Sequence, residues 1–125
     1  MRLKRKEKTR IRLVDGNHQK KIDYRPAVDT PAGSVVLFGT TITITSVDIL
    51  AGPDAPSGAV NWPNGGAQYS MPNPNGLAFA VGADLFVDIA DPANAIPLAA
   101  GGAGKIGVVT RDTAAGDDVW FVHER

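Results

Sequence analysis

Short apolar runs alternate with turns rich in Gly, Asp, Asn and Ala along most of the chain. No apolar stretch keeps the 3.6-residue spacing of a packed helix over ten or more residues. The runs LFVDI (85–89), KIGVV (105–109) and DVWFV (118–122) are short, rich in Val, Ile, Phe and Trp, and bounded by turn residues, which predicts antiparallel strands. TTITITSVDIL (40–50) alternates strictly, with Ile42 and Ile44 on one face and threonines on the other. SVVLFG (34–39) holds four consecutive apolar residues and predicts a strand buried on both faces. GLAFAV (76–81) alternates again, setting Leu77, Phe79 and Val81 on one side. The pattern as a whole predicts an all-β fold, a small compact β-barrel or β-sandwich of short antiparallel strands.

The two ends of this pattern differ in kind. TRIRLV (9–14) places Ile11 and Leu13 on one side and Arg10 and Arg12 on the other, and the Asp15-Gly16-Asn17 turn signal ends it. A strand ahead of the domain proper pairs either with its own sheet or with the edge of another chain. Residues 1–18 therefore read as a basic extended arm and 19–125 as one β domain, which is all that 125 residues allow. Within IDYRP, Pro26 pushes Arg25 to an extended conformation. Residues 51–76 hold five of the nine prolines with many Gly and Asn, which predicts a long loop with at most one short strand. That loop carries Trp62, Tyr69 and Met71, and exposed aromatics there are contact candidates. The alternative places Trp62 back over the core.

Charge sharpens the division. The net charge is zero, yet residues 1–25 hold ten of the 13 Lys/Arg and only three of the 13 Asp/Glu. A basic lead precedes an acidic body, which suits a partner surface or the body of a neighbouring copy. No cysteine is present, so disulfides, thiolate nucleophiles and Cys-ligated metals are excluded. No apolar run approaches the ~20 residues of a membrane span. The basic N-terminus is not followed by an apolar stretch, so no secretory signal is expected.

Candidate chemistry is sparse. His18 and His123 stand apart and outside any HxxxH or HExxH spacing, and both read as solvated or hydrogen-bonded surface histidines. Asp84, Asp88, Asp91, Asp112, Asp117 and Asp118 fall at turns, where Asp bonds its own backbone, and they lack the calcium-loop pattern. GGAGK (101–105) lacks the Gly-x4-Gly-Lys-Ser/Thr spacing and a following helix. No catalytic, cofactor or metal site is predicted. Ten cations in the first 25 residues could hold phosphates, but Tyr24 is the one aromatic among them, so the stacking platform of single-strand binders is missing.

From about residue 19 the order of segments resembles the DUF2190 family of tailed-phage and prophage proteins, capsid decoration (cement) or head-fibre proteins. The resemblance rests on IDYRPA (22–27), AGSVVLFG (32–39), VGADLFVDIADPANAI (81–96) and GKIGVVTRDTAAGDDVWFVHE (104–124). Phe86, with Asp88 two positions on, stands where that family usually has an aromatic followed by Asp. Residues 1–18 are longer and more basic than the family's lead-in, and 51–76 is not a family signature. The resemblance implies a non-enzymatic decoration protein on the outer surface of the virion capsid, made in the host cytoplasm. Its partners would be the major capsid protein and its own copies, as a homotrimer, with no membrane, nucleic acid or cofactor involved. The contact residues expected are Arg10, Ile11, Arg12 and Leu13 in the arm, with Trp62 and Tyr69 in the loop. The rival readings are a head-fibre base or glycan-binding module using the loop aromatics, and a nucleic-acid-associated protein acting through the arm.

Overall fold

The computed structural model describes residues 10–16, 20–55 and 58–124. Among the described residues, ten strands form two antiparallel sheets and there is no α-helix. The strands are β1 (Arg12–Asp15), β2 (Lys21–Tyr24), β3 (Val35–Phe38), β4 (Thr41–Thr45) and β5 (Gly58–Asn61), then β6 (Gln68–Met71), β7 (Asp84–Asp88), β8 (Ile96–Leu98), β9 (Gly104–Val109) and β10 (Val119–His123). One sheet runs β1-β6-β10-β9-β7-β8 and the other β2-β5-β4-β3. They share one apolar core and are not closed into a barrel, so of the two expected forms the open two-sheet one is adopted.

Period-two alternation builds that core. Val35, Ile42 and Ile44 enter it from the four-stranded sheet. Tyr69, Met71, Leu85, Val87, Ile106, Val109, Val119 and Phe121 enter from the other. At ~25 cal/mol per Å² of apolar surface removed from water, each large side chain contributes about 1.5–3 kcal/mol.

Four expectations are corrected. Residues 51–76 contain two strands rather than a loop with at most one. The prolines described there fall outside β5 and β6, so neither ladder loses a donor. The run 34–39 is not buried on both faces, because β3 is an edge strand with Leu37 42% exposed. Residues 76–81 form no strand: only Phe79 bridges Thr113, while Asn73 donates to Leu77 O at 2.7 Å and accepts from Leu77 N at 3.1 Å. That side chain takes the backbone groups a ladder would use. Ile11 and Leu13 do not share an environment, being 3% and 43% exposed.

Of the expected arm, residues 12–15 pair antiparallel with β6 of the same chain, Arg12 opposite Ser70 and Leu13 opposite Tyr69. Gly33 makes the close approach beside it possible. At φ +82° it lies in the left-handed region, and a Cβ there would collide with Ile11 O.

Candidate functional site

The two faces of β4 are both buried, for different reasons. Ile42 and Ile44 face the core, whereas Thr41, Thr43 and Thr45 face outward with Val36 and Val60. Thr43 Oγ1 donates to Val36 O at 2.7 Å, so the hydroxyl is satisfied where it is buried. Tyr24, Phe38 and Trp62 form an aromatic cluster on this outer side. The Tyr24–Phe38 centroids lie 5.9 Å apart at 55°, and Phe38–Trp62 also 5.9 Å apart but at 78°. All three are half-buried, which leaves ring surface facing solvent.

Trp62 follows β5 and its N–H donates to Lys20 O at 2.7 Å. It packs on Phe38, between the exposed and the core-capping alternatives. Tyr69 is not a loop residue. It lies on β6 at 1% exposure, stacked on Phe121 at 5.8 Å, and its hydroxyl accepts from Asn61 Nδ2 at 2.9 Å. Lys21 Nζ donates to Asn61 Oδ1 at 2.7 Å, so a polar chain runs from the exposed Lys21 to the buried Tyr69 hydroxyl. Ile11 is likewise a core residue. Both side chains are thus sealed inside this chain rather than presented on its surface.

Arg12, Leu13 and Val14 are exposed on β1, the edge of the six-stranded sheet. Arg10 is half-buried, its Nε donating to Ala93 O at 3.2 Å, and its buried Nη1 has no hydrogen-bond partner. The structure thus keeps Arg12 and Leu13 on one exposed edge and sets Trp62 on the other sheet's outer side. An aromatic–cation pair lies outside the sequence reading: the Arg111 guanidinium lies 3.6 Å from the Trp120 ring centroid, beside Asp112, Asp117 and Asp118. Alternation along DVWFV could have placed Trp120 opposite Phe121's face, but not the arginine above it.

His18 lies outside the described residues. His123 is not a surface residue: it is 1% exposed, edge-on to Tyr69 at 5.7 Å. Its Nε2 lies 2.9 Å from Ile42 O, so that nitrogen carries the proton and donates, while Nδ1 has no partner. Burial lowers its pKa to about 4, and the Ile42 bond offsets only part of that. The aspartates hold backbone or pair with lysine, two of them within their own turns and two across the fold. Asp88, Asp91 and Asp112 accept from the backbone N–H groups of Ala90, Ala93 and Val81 at 2.9, 3.3 and 2.9 Å, and Asp84 pairs with Lys105 at 3.2 Å. No group of three or more His, Cys, Asp or Glu able to hold a metal occurs among the described residues, nor does a helix long and apolar enough to cross a membrane.

The surface therefore offers edges and shallow faces: an exposed β1, a half-exposed aromatic cluster, and a groove beside β3. No curated protein and no solved structure matches the chain. A family model described as phage cement protein matches residues 16–123. That span runs from the turn after β1 to the last residue of β10 and takes in both sheets except β1. That match, over most of the chain, places it in the phage cement protein family, a family of structural proteins of the phage capsid.

Proposed function

We propose that the protein is a non-enzymatic decoration protein that binds the outer shell of a tailed-phage head through its major capsid protein and stabilises contacts between capsomers, as a homotrimer. The family match over residues 16–123 carries this reading. The surface supports it. Shell attachment needs an extended contact area rather than a cleft, and β1 offers Arg12, Leu13 and Val14 on a sheet edge. An edge strand can bond main chain to main chain with a neighbour while its exposed apolar residues exclude water. Trp62 supplies a further aromatic contact of the kind that dominates interfaces. Closed cyclic symmetry would bring three identical edges around one axis.

The test is co-sedimentation of the purified protein with shells that lack it, together with its solution mass by light scattering. Saturable binding with a rise in the shell's melting temperature is the expected result. Absence of binding to shells, with steeply salt-dependent binding to DNA instead, would replace this reading with a nucleic-acid one. Loss of binding to glycans on Trp62→Ala, with none to shells, would replace it with an adhesin.

A further inference from the structure

Each sheet ends in two edge strands, and three of these four edges carry a feature that discourages pairing with another chain. β1 holds the charged Arg12 and Asp15 with a register shift between Leu13 and Asp15, and β2 exposes Lys21 and Asp23. β8 is three residues long and its middle residue is Pro97, which has no N–H to give. β3 has none of these features. Its four residues are uncharged, include no proline and pair with β4 without a register shift.

The register also defines what β3 presents on its free side. Ser34 O accepts from Thr45 N at 3.0 Å and Val36 O from Thr43 Oγ1 at 2.7 Å, so both carbonyls turn toward β4. Alternation turns the N–H and C=O of Val35 and Leu37 away from β4. A groove of about 450 Å³ lies along this edge, lined by Val28 and Asp29 from the chain after β2 and by Ile89, Asp91 and Pro92 from the chain after β7. Ile89 packs on the shared core, so its wall lies on the inner side of β3. The other wall lies on the outer side, where Thr30 bridges Ile49 above Gly58 of β5. Val28 is 72% and Leu37 42% exposed, so apolar surface in the groove stands in water. Asp29 and Asp91 put one carboxylate on each wall, and no cation lines the groove. Their oxygens accept from Ala51 N, Ala93 N and Asn94 Nδ2, and neither meets a cation among the described residues.

We propose that β3 is a docking edge for an extended segment of another protein chain, a strand that alternates apolar residues with Lys or Arg and adds to the four-stranded sheet. Main-chain bonds to Val35 and Leu37 hold such a strand, and its alternate side chains reach the two walls. On either wall a basic side chain meets a carboxylate and an apolar one meets apolar surface. A folded sheet edge would bring its own bulk against both walls, which a single extended segment avoids. The inference goes beyond the shell reading: attachment through β1 and strand capture by β3 use different edges, and either can fail without the other.

Amide hydrogen exchange on the full chain, with and without a capped heptapeptide of alternating valine and lysine, tests it. With the peptide in excess, the Val35 and Leu37 amides are expected to exchange at least about tenfold more slowly, while Val36 and Phe38, bonded toward β4, stay unchanged. The same peptide with glutamate in place of lysine should give no protection. Leu37→Lys in the full chain, at an exposed edge position, should abolish the effect of the lysine peptide. Unchanged exchange of Val35 and Leu37, equal protection by the glutamate peptide, or full protection in Leu37→Lys overturns the proposal. Protection of both amides before any peptide is added also overturns it, because the edge would then already be covered by this chain or by a second copy.

Discussion

Lowering the pH from 7 to 4 should remove about 3 kcal/mol of stability through His123 alone. The imidazole is buried with Nε2 donating to Ile42 O and Nδ1 facing no partner, so a second proton would charge a ring with nowhere to place it. Burial lowers the pKa from 6.5 to about 4. Above pH 6.5 both folded and unfolded chains hold a neutral ring, and the group adds no pH dependence. Below 6.5 the unfolded chain takes a proton that the folded chain refuses, and stability falls by up to about 1.4 kcal/mol per pH unit. Near pH 4 the folded chain also takes the proton and the loss levels off. A total of about 3 kcal/mol is a large part of the ~5–15 kcal/mol of a typical domain. Urea unfolding, followed by tryptophan fluorescence between pH 7.5 and 4, measures it. His123→Gln keeps an N–H to offer Ile42 O and does not titrate, while the carboxylates and His18 stay in both proteins. The difference in stability between wild type and variant should therefore shrink or reverse by about 3 kcal/mol as the pH falls through this window. Parallel curves would refute the reasoning.

Tyr69→Phe keeps the ring stack on Phe121 but removes the acceptor for buried Asn61 Nδ2, and should cost about 1–3 kcal/mol by denaturant melt. Gly33→Ala forces a left-handed alanine against Ile11 O, and should cost at least about 1–2 kcal/mol and weaken amide protection in β1 first. Leu13→Asp, at an exposed edge position, should leave stability within about 0.5 kcal/mol while lowering shell binding at least tenfold in co-sedimentation. Unchanged binding would remove β1 from the contact surface.

Local pattern and tertiary context divide the chain unevenly. The alternation in 40–45, 84–88, 105–109 and 118–122 was legible because each segment has both the right period and its own turn residues, and all became strands. The turn roles of Asp88 and Asp91 were legible for the same reason, since each bonds the backbone two residues on, whereas Asp112 accepts from Val81 N–H, far away in sequence. Residues 58–61 and 68–71 were not legible. GAVN and QYSM carry weak strand propensity, and they are strands because β2 and β4 flank one and β1 and β10 flank the other.

The sequence by itself determined that this chain is built of short strands, that it has no thiol chemistry, and that its cations gather at the N-terminus. Those properties are set by neighbours along the chain. Tertiary structure alone decided that Tyr69 and His123 are core residues, that Ile11 is sealed while Leu13 is exposed, and that β3 is an edge. It alone also gathered Tyr24, Phe38 and Trp62, up to 38 positions apart, into one cluster. A strand's side-chain period says that its two faces differ, and only the sheets packed around it decide which face, and which edge, remains open to a partner.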